Sequence, residues 1–404
     1  MTANFSYPKG FRVAGVSCGL KPNNLLDFGL IVSDVPCVTA GVFTTNLVKA
    51  APVLLGMEIL RKYSDDIRAV AVNTGCANAA TGEQGLKNAN ATAETVAQKL
   101  RCDGNQIMVM STGVIGTQLP MDKIHKGIEL AHKTLGNDWE TTAKAIMTTD
   151  TTPKMASITV ETVNGNYTIT GIAKGAGMIA PNMATMLSVI VTDAKLVTGQ
   201  AQIALQQATE QTFNCITVDG DMSTNDTVLL LANGESGVTI DSAHAYDDFI
   251  ASLTMVCEDL AKSIARDGEG ATKLVNIFVQ NATDNISARK IADAIATSPL
   301  VKTAIYGGDP NWGRIMAAAG RAGVPFNPDK AMLSIAKGID APNHDLVIFE
   351  NGTGTNYEES DAKAIFASTE ISIILNLNMG DSMVNVWTCD MSHDYISINS
   401  HYRS

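Results

Sequence analysis

The sequence predicts an α/β class fold, an α+β sandwich of mixed and antiparallel sheets covered by helices. Three observations carry this. β-branched, apolar stretches alternate irregularly with stretches that repeat apolar residues every three or four positions. An Asn164-Gly165 pair lies between two strand-like stretches, the strongest short signal for a hairpin. The chain has 404 residues, 45% of them hydrophobic and 17% charged, enough for an ample core and two or three domains. In chain order, strands are expected at 27–32 and 67–72, a helix at 85–100, a strand at 106–110 and a helix at 121–135. Strands at 157–160, 166–171 and 188–192 come next, then a helix at 200–213, a strand at 227–231 and a helix at 246–265. A strand at 273–279, a helix at 288–297 and strands at 371–377 and 382–387 complete the pattern. Hairpins beside helices favour mixed sheets over a simple doubly wound one.

Composition excludes several classes. A formal charge of −12 argues against nucleic acid or an anionic membrane as partner. No run approaches the ~18 apolar residues of a membrane span. The first 12 residues lack an apolar signal core and transit-peptide character, so a cytoplasmic location is expected. Seven cysteines are scattered, never as Cys-x-x-Cys, which reads as reduced structural thiols without a zinc site. The six histidines have no obvious serine partner and read as structural. The carboxylates of 217–226 lack the spacing of a calcium loop and read as a hydrogen-bonded turn near the active site. Residues 267–273 and 307–314 only superficially resemble phosphate or dinucleotide loops.

The most informative stretch is 174–189. Gly175 and Gly177 permit backbone conformations closed to other residues, and Pro181 biases Ala180 away from helix. The loop is therefore shaped, and it delivers Thr185 to the mouth of a buried strand. This stretch resembles the autoprocessing site of the ornithine acetyltransferase family, also called glutamate N-acetyltransferase or the arginine-biosynthesis bifunctional protein. The likeness covers essentially the whole chain. It implies a self-cleaving, N-terminal-nucleophile-like fold cut between Ala184 and Thr185, giving an α chain of 1–184 and a β chain of 185–404. The two chains would share one intertwined core plus a smaller C-terminal region, and would assemble as a heterotetramer of two α and two β chains.

The chemistry of Thr185 fits that resemblance. A Thr hydroxyl needs a base to become a nucleophile. Cleavage would free an α-amine on the same residue, with a reference pKa of ~7.7–8, near working pH. Acyl transfer also needs donors for an oxyanion. A strand ending in Ser111-Thr112-Gly113 could supply them, although by spacing alone it reads as an ordinary strand-to-helix turn. The resemblance assigns the oxyanion hole to Thr112 and Gly113. It places Thr151, Lys174, Thr185, Glu269, Asn399 and Ser404 at the substrate. Lys174 would suit a carboxylate, its bland alternative being a solvated loop lysine. Glu269 would suit the cationic ornithine side chain. Ser404 stands where family members commonly have Thr, keeping the hydroxyl and carboxylate but losing a methyl. Cys76, unusual in the family's Asn/Gly/Ala-rich turn, reads as a small buried thiol.

The resemblance implies a ping-pong enzyme that moves acetyl from N2-acetyl-L-ornithine to L-glutamate in arginine biosynthesis, with no metal or organic cofactor. Whether acetyl-CoA also serves as donor is left open. The alternatives are a related self-processing aminopeptidase or amidohydrolase, or a specialised acetyltransferase with another acceptor.

Overall fold

The computed structural model describes residues 5–180, 186–340 and 344–401. They divide into two compact units: residues up to Asn214 with Asp221–Ile264, and Cys215–Gly220 with the residues from Ala265 on. The expected scissile bond falls within the sequence span of the first unit.

The first unit runs β1 (Phe11–Val16), β2 (Phe28–Phe43), α1 (Ala51–Tyr63), β3 (Ile67–Cys76), α2 (Gly82–Leu100), β4 (Ile107–Val114), α3 (Met121–Lys133) and α4 (Trp139–Ile146). It continues with β5 (Lys154–Thr162), β6 (Gly165–Lys174), β7 (Leu187–Thr192), α5 (Gln200–Gln211), β8 (Thr227–Ala232) and α6 (Ala243–Arg266). Eight strands form one mixed sheet in the order β4-β3-β2-β8-β7-β6-β5, with β1 also paired to β2. The pairs β3/β4 and β7/β8 are parallel, and the rest are antiparallel.

β2 holds this sheet together. Its first half lies against β1 and β3, and residues Val38 to Phe43 pair with β8. Pro36 falls in the register break between Val32 and Cys37, where a residue without an N–H cannot extend the ladder. The strand changes partners there. One contiguous core joins both stretches, from Val13, Phe28, Leu30 and Val70 to Ile172, Val189, Val191, Leu229 and Leu231. β7 and β8 are buried along their whole length, which explains why they read as unbroken apolar runs. Gly15 lets the backbone of α4 approach β1; a Cβ there would lie 2.3 Å from the carbonyl oxygen of Thr141.

The second unit runs β9 (Leu274–Ala282), α7 (Asn285–Ala296), α8 (Pro299–Tyr306), α9 (Trp312–Gly320), β10 (Met332–Lys337) and β11 (Leu346–Glu350). It ends with β12 (Thr353–Gly354), α10 (Glu359–Phe366), β13 (Glu370–Asn376), β14 (Ser382–Cys389) and α11 (His393–His401). Its six strands are ordered β12-β11-β10-β13-β9-β14, with only β13 and β9 parallel. Helices α7 to α10 contribute to its core, including Ile291, Ile295, Ile305, Ile315 and Phe366.

The architecture is the mixed α/β one that the sequence predicts, with differences of physical origin. The hairpin forms, but its two-residue loop is Val163-Asn164, and Gly165 at φ 121° already belongs to β6. The strand expected at 27–32 extends to Phe43 because its second half finds a new partner in β8. Helices α1, α4, α8, α9 and α10 escape periodicity, three of them being only eight residues long. Of residues 307–314, the first five connect α8 to α9 and the last three open α9, which the Asn311 side chain caps by accepting from Arg314 N at 3.1 Å.

Asp27 shows how the sheet entrance is tied. Its carboxylate, fully buried, accepts N–H groups from Cys18 (2.7 Å), Gly19 (3.0 Å), Leu20 (2.6 Å) and Lys21 (2.9 Å). Asp27→Ala would orphan all four donors. The expected loss is about 3 kcal/mol of unfolding free energy, measured as a drop in urea midpoint; an unchanged midpoint would contradict this role.

Candidate active site

Register assembles the site in the first unit. Lys174 pairs with Leu187, and Leu187 with Thr227, so the end of β6 and the starts of β7 and β8 stand side by side. The end of β4, separated from β8 by β3 and β2 in the sheet but reached by the Asn225 side chain just before β8, carries Thr112 and Gly113. These two are not an ordinary strand-to-helix turn: they still pair with Thr74 and Gly75 of β3, and α3 begins only at Met121. Gly113 has φ +129°, and a Cβ on it would lie 2.4 Å from the Gly75 carbonyl carbon and 2.6 Å from Cys76 N. Only glycine fits. The preceding residue is pinned from two sides. Ser111 Oγ donates to Asn73 Oδ1 at 2.6 Å, and Asn225 Nδ2 donates to Ser111 O at 2.8 Å and to Ala77 O at 2.6 Å. Thr112 itself is buried.

Cys76 is buried, donates to Thr117 O at 3.2 Å, and burial pushes its thiol up. That is the environment of an inert thiol.

Lys174 departs from the solvated loop lysine. It closes β6 with only 3% of its surface exposed. Its electrostatic neighbours are two carboxyls that sequence reasoning did not single out. Asp150 Oδ1 accepts from Lys154 Nζ at 2.7 Å and from Gly175 N at 2.7 Å. Burial alone would push the Asp150 carboxyl up; Lys174, Lys154 and the Gly175 N–H outweigh it and hold it at about 2. The second carboxyl, Asp226, accepts from Met186 N at 3.0 Å through Oδ1. It is fully buried, and burial raises its carboxyl well above the usual range against the opposing pull of the Met186 N–H and Lys174. Thr151, next to Asp150, is exposed.

In the second unit, Glu269 and Asn399 come together. Asn399 Nδ2 donates to Glu269 Oε2 at 2.7 Å, and Glu269 is 7% exposed. The loop before β9 is anchored to the segment before α11. Thr272 N and Lys273 N donate to Asp390 Oδ1 at 2.7 and 3.0 Å, and Ser392 Oγ donates to Gly270 O at 2.6 Å. These ties fix the base of the helix bearing Asn399. Ala184, Thr185 and Ser404 lie outside the described residues. Contrary to expectation, two histidines have serine partners: Ser400 Oγ lies 3.0 Å from His401 Nδ1, both exposed on α11, and Ser334 Oγ lies 2.5 Å from His344 Nδ1. Ser334 is fully buried inside β10, which makes it a structural contact. No group of three or more His, Cys, Asp or Glu among the described residues could hold a metal ion.

Asp150 escapes the sequence reading, and Asp226 is not picked out within the turn expected near the active site, for a common reason. Their partners are distant in sequence, Gly175 by 25 positions and Met186 by 40, and no local periodicity records such pairing. The visible signal was an Asp four residues before a Lys, in a Thr-rich segment read for its hydroxyls alone.

The model of the ArgJ family matches residues 12–404. The arginine biosynthesis bifunctional protein ArgJ of Thermotoga neapolitana is 47% identical over 399 residues, 98% of this chain and 99% of that protein. The mitochondrial protein of the same name from Sordaria macrospora is 44% identical over 421 residues, 99% of this chain and 89% of its own. Among solved structures, a chain of the ornithine acetyltransferase of Mycobacterium tuberculosis in complex with ornithine is 40% identical, covering 43% of this chain and 92% of that one, with a TM-score of 0.40.

Two outcomes are expected from the geometry. Gly113→Ala must push against the Gly75-Cys76 backbone, so acetyl transfer should fall by about 10²-fold or more; wild-type rates would rule out the Thr112-Gly113 assignment. Asp150→Asn leaves buried lysines under-compensated and should cost about 3–5 kcal/mol at neutral pH. Because the folded carboxyl is depressed to about 2, its contribution is present above the unfolded value near 4 and is lost as pH falls toward 2. Denaturation curves of wild type and variant should therefore converge across that window; a constant gap would contradict the assignment.

Proposed function

Since the chain belongs to the ArgJ family, we propose that its reaction runs through an acetyl ester on Thr185. The protein is an acetyltransferase of arginine biosynthesis, a glutamate N-acetyltransferase of the ornithine acetyltransferase kind. The single observation that carries this is a family match spanning residues 12–404, which includes every residue of the proposed site.

The precursor cuts itself between Ala184 and Thr185, and the freed α-amine serves as base. Thr185 Oγ1 attacks the acetyl carbonyl of N2-acetyl-L-ornithine while its proton passes to that amine. The oxyanion is held by the Thr112 hydroxyl and the Gly113 N–H. When the C–N bond breaks, the amine returns the proton to the leaving ornithine nitrogen. Glutamate then attacks the ester: its amine forms the new C–N bond, the C–O bond breaks, and the proton it loses returns through the amine to Oγ1. Glu269, held by Asn399, suits the ornithine ammonium, with Thr151 and Ser404 as further substrate contacts. Lys174 supplies positive charge beside the carboxyls of Asp150 and Asp226 and so keeps the pocket receptive to a substrate carboxylate. One amide replaces another, so the cycle calls for no metal or organic cofactor. Relatives are named bifunctional, which supports acetyl-CoA as a second acetyl donor to glutamate. The cut chains stay together as two α and two β chains, and the site of action is the cytoplasm. No helix among the described residues is long and apolar enough to cross a membrane.

The test is to incubate purified protein with N2-acetyl-L-ornithine and glutamate, beside Thr185→Ala, with intact-mass analysis of both. Equal release of ornithine and N-acetylglutamate by cut wild type is expected. The uncut variant should lose about 10³-fold or more. Acetate released without need of glutamate would instead mark a hydrolase, and an uncut, inactive wild type would refute the reading.

A further inference from the structure

Asn225 and Asp226 touch the backbone beside Thr112-Gly113 on one side and the Met186 amide on the other. Asn225 Nδ2 bridges Ser111 O and Ala77 O, on either side of the Thr112-Gly113 segment. Asp226 Oδ1 accepts from Met186 N, the first amide after Thr185. These adjacent side chains thus tie the oxyanion donors to the start of the strand that follows the nucleophile. Backbone bonds reinforce the tie: Thr227 N donates to Met186 O at 3.2 Å, and Thr44 N to Asp226 O at 2.9 Å.

The other oxygen of Asp226 is not used. Oδ2 is buried and has no hydrogen-bond partner. The hydroxyls of Thr44 and Ser223 stand close to the carboxyl, but Thr44 Oγ1 donates to Ser223 O at 2.8 Å and Ser223 Oγ accepts from Asn225 N at 3.0 Å; Lys174 on β6 is the charged group that acts on Asp226. A buried carboxyl with one free oxygen is costly unless something pairs with it at another stage. Covalent connection places the Thr185 nitrogen one residue from the amide that Asp226 already binds. Before cleavage that nitrogen is an amide; after cleavage it is an amine that can carry charge.

We propose that Asp226 is a positioning residue for the Thr185 α-amine: Oδ1 holds the Met186 amide while Oδ2 awaits the amine that self-cleavage creates. The inference rests on Thr185 being the nucleophile. The carboxyl and the amine then titrate as a pair sharing protons. A carboxylate beside the ammonium favours the charged amine, so Asp226 keeps the amine's pKa higher than it would otherwise be. Lys174 opposes this, and its own pairing with Asp150, held at about 2, limits that opposition.

The experiment is the pH profile of kcat/KM for acetyl transfer by wild type and Asp226→Asn, with Thr185→Ala as control. Asn keeps a carbonyl oxygen for the Met186 N–H and removes the charge. The acid limb, which reports the amine as base, should move down by about one pH unit, while KM for N2-acetyl-L-ornithine changes less than about threefold. A folded, cut variant with an unmoved limb overturns the inference, whether or not its thermal stability falls. Should the variant fail to fold or cut, wild type carrying 13C-labelled aspartate gives the same readout. An Asp226 carboxyl that titrates in step with the Thr185 amine supports the pairing, and one that does not respond overturns it. A wild type that neither cuts nor transfers removes the premise and the inference together; an active wild type indifferent to Asp226→Asn removes the inference alone.

Discussion

The buried charges at the end of β6 are the constraint on which the rest of the site depends. Asp150 and Lys154 have almost no exposed side-chain surface, and Lys174 is nearly as deep. Ions taken from water must compensate one another with good geometry or cost several kcal/mol each. That requirement ties the segment before β5 to the Gly175 amide, which begins the loop leading to Thr185. The loop is thereby anchored at one end by a charge-assisted bond. Its other end enters β7 under the Asp226–Met186 bond.

The strand order explains why the site stands at these strand ends. Parallel pairing of β3 with β4, and of β7 with β8, brings strand ends together from distant parts of the chain. β2 joins the two groups by changing partners at Pro36. Thr112-Gly113 and the start of β7 therefore belong to one continuous sheet, and Asn225 with Asp226 cross-braces them. A rigid scaffold of this kind places reacting groups accurately, and acyl transfer gains most from donors already in position.

Much of this was legible in the sequence, and the remainder had physical reasons for being hidden. Strong local signals survive: the apolar runs of β7 and β8, the long helices α2 and α6, and the hairpin near Gly165. Glycine at 113 was readable as a residue type, but the backbone of Gly75 and Cys76 that makes it obligatory comes from another strand. Lys174 was singled out for its charge, whereas its burial depends on Asp150 and Asp226, which local pattern cannot connect to it. Glu269 and Asn399 were assigned by resemblance separately; their 2.7 Å hydrogen bond arises because Asp390 and Ser392 anchor the loop before β9 to the chain leading into α11. Short helices such as α4 and α8 span too few turns to show a periodicity, and their start signals, the Asp138 cap of α4 and Ser298-Pro299 before α8, are single residues.

In the proposed cycle, acetyl rests on Thr185 between two half-reactions. The direct measurement is to give the cut enzyme N2-acetyl-L-ornithine without glutamate, quench in acid, and map peptides by mass. The account predicts one acetyl group per active site on the peptide beginning with Thr185, matched by one equivalent of ornithine and discharged on adding glutamate. Ornithine released with no acetyl on that peptide, or acetyl found on another residue, would contradict it.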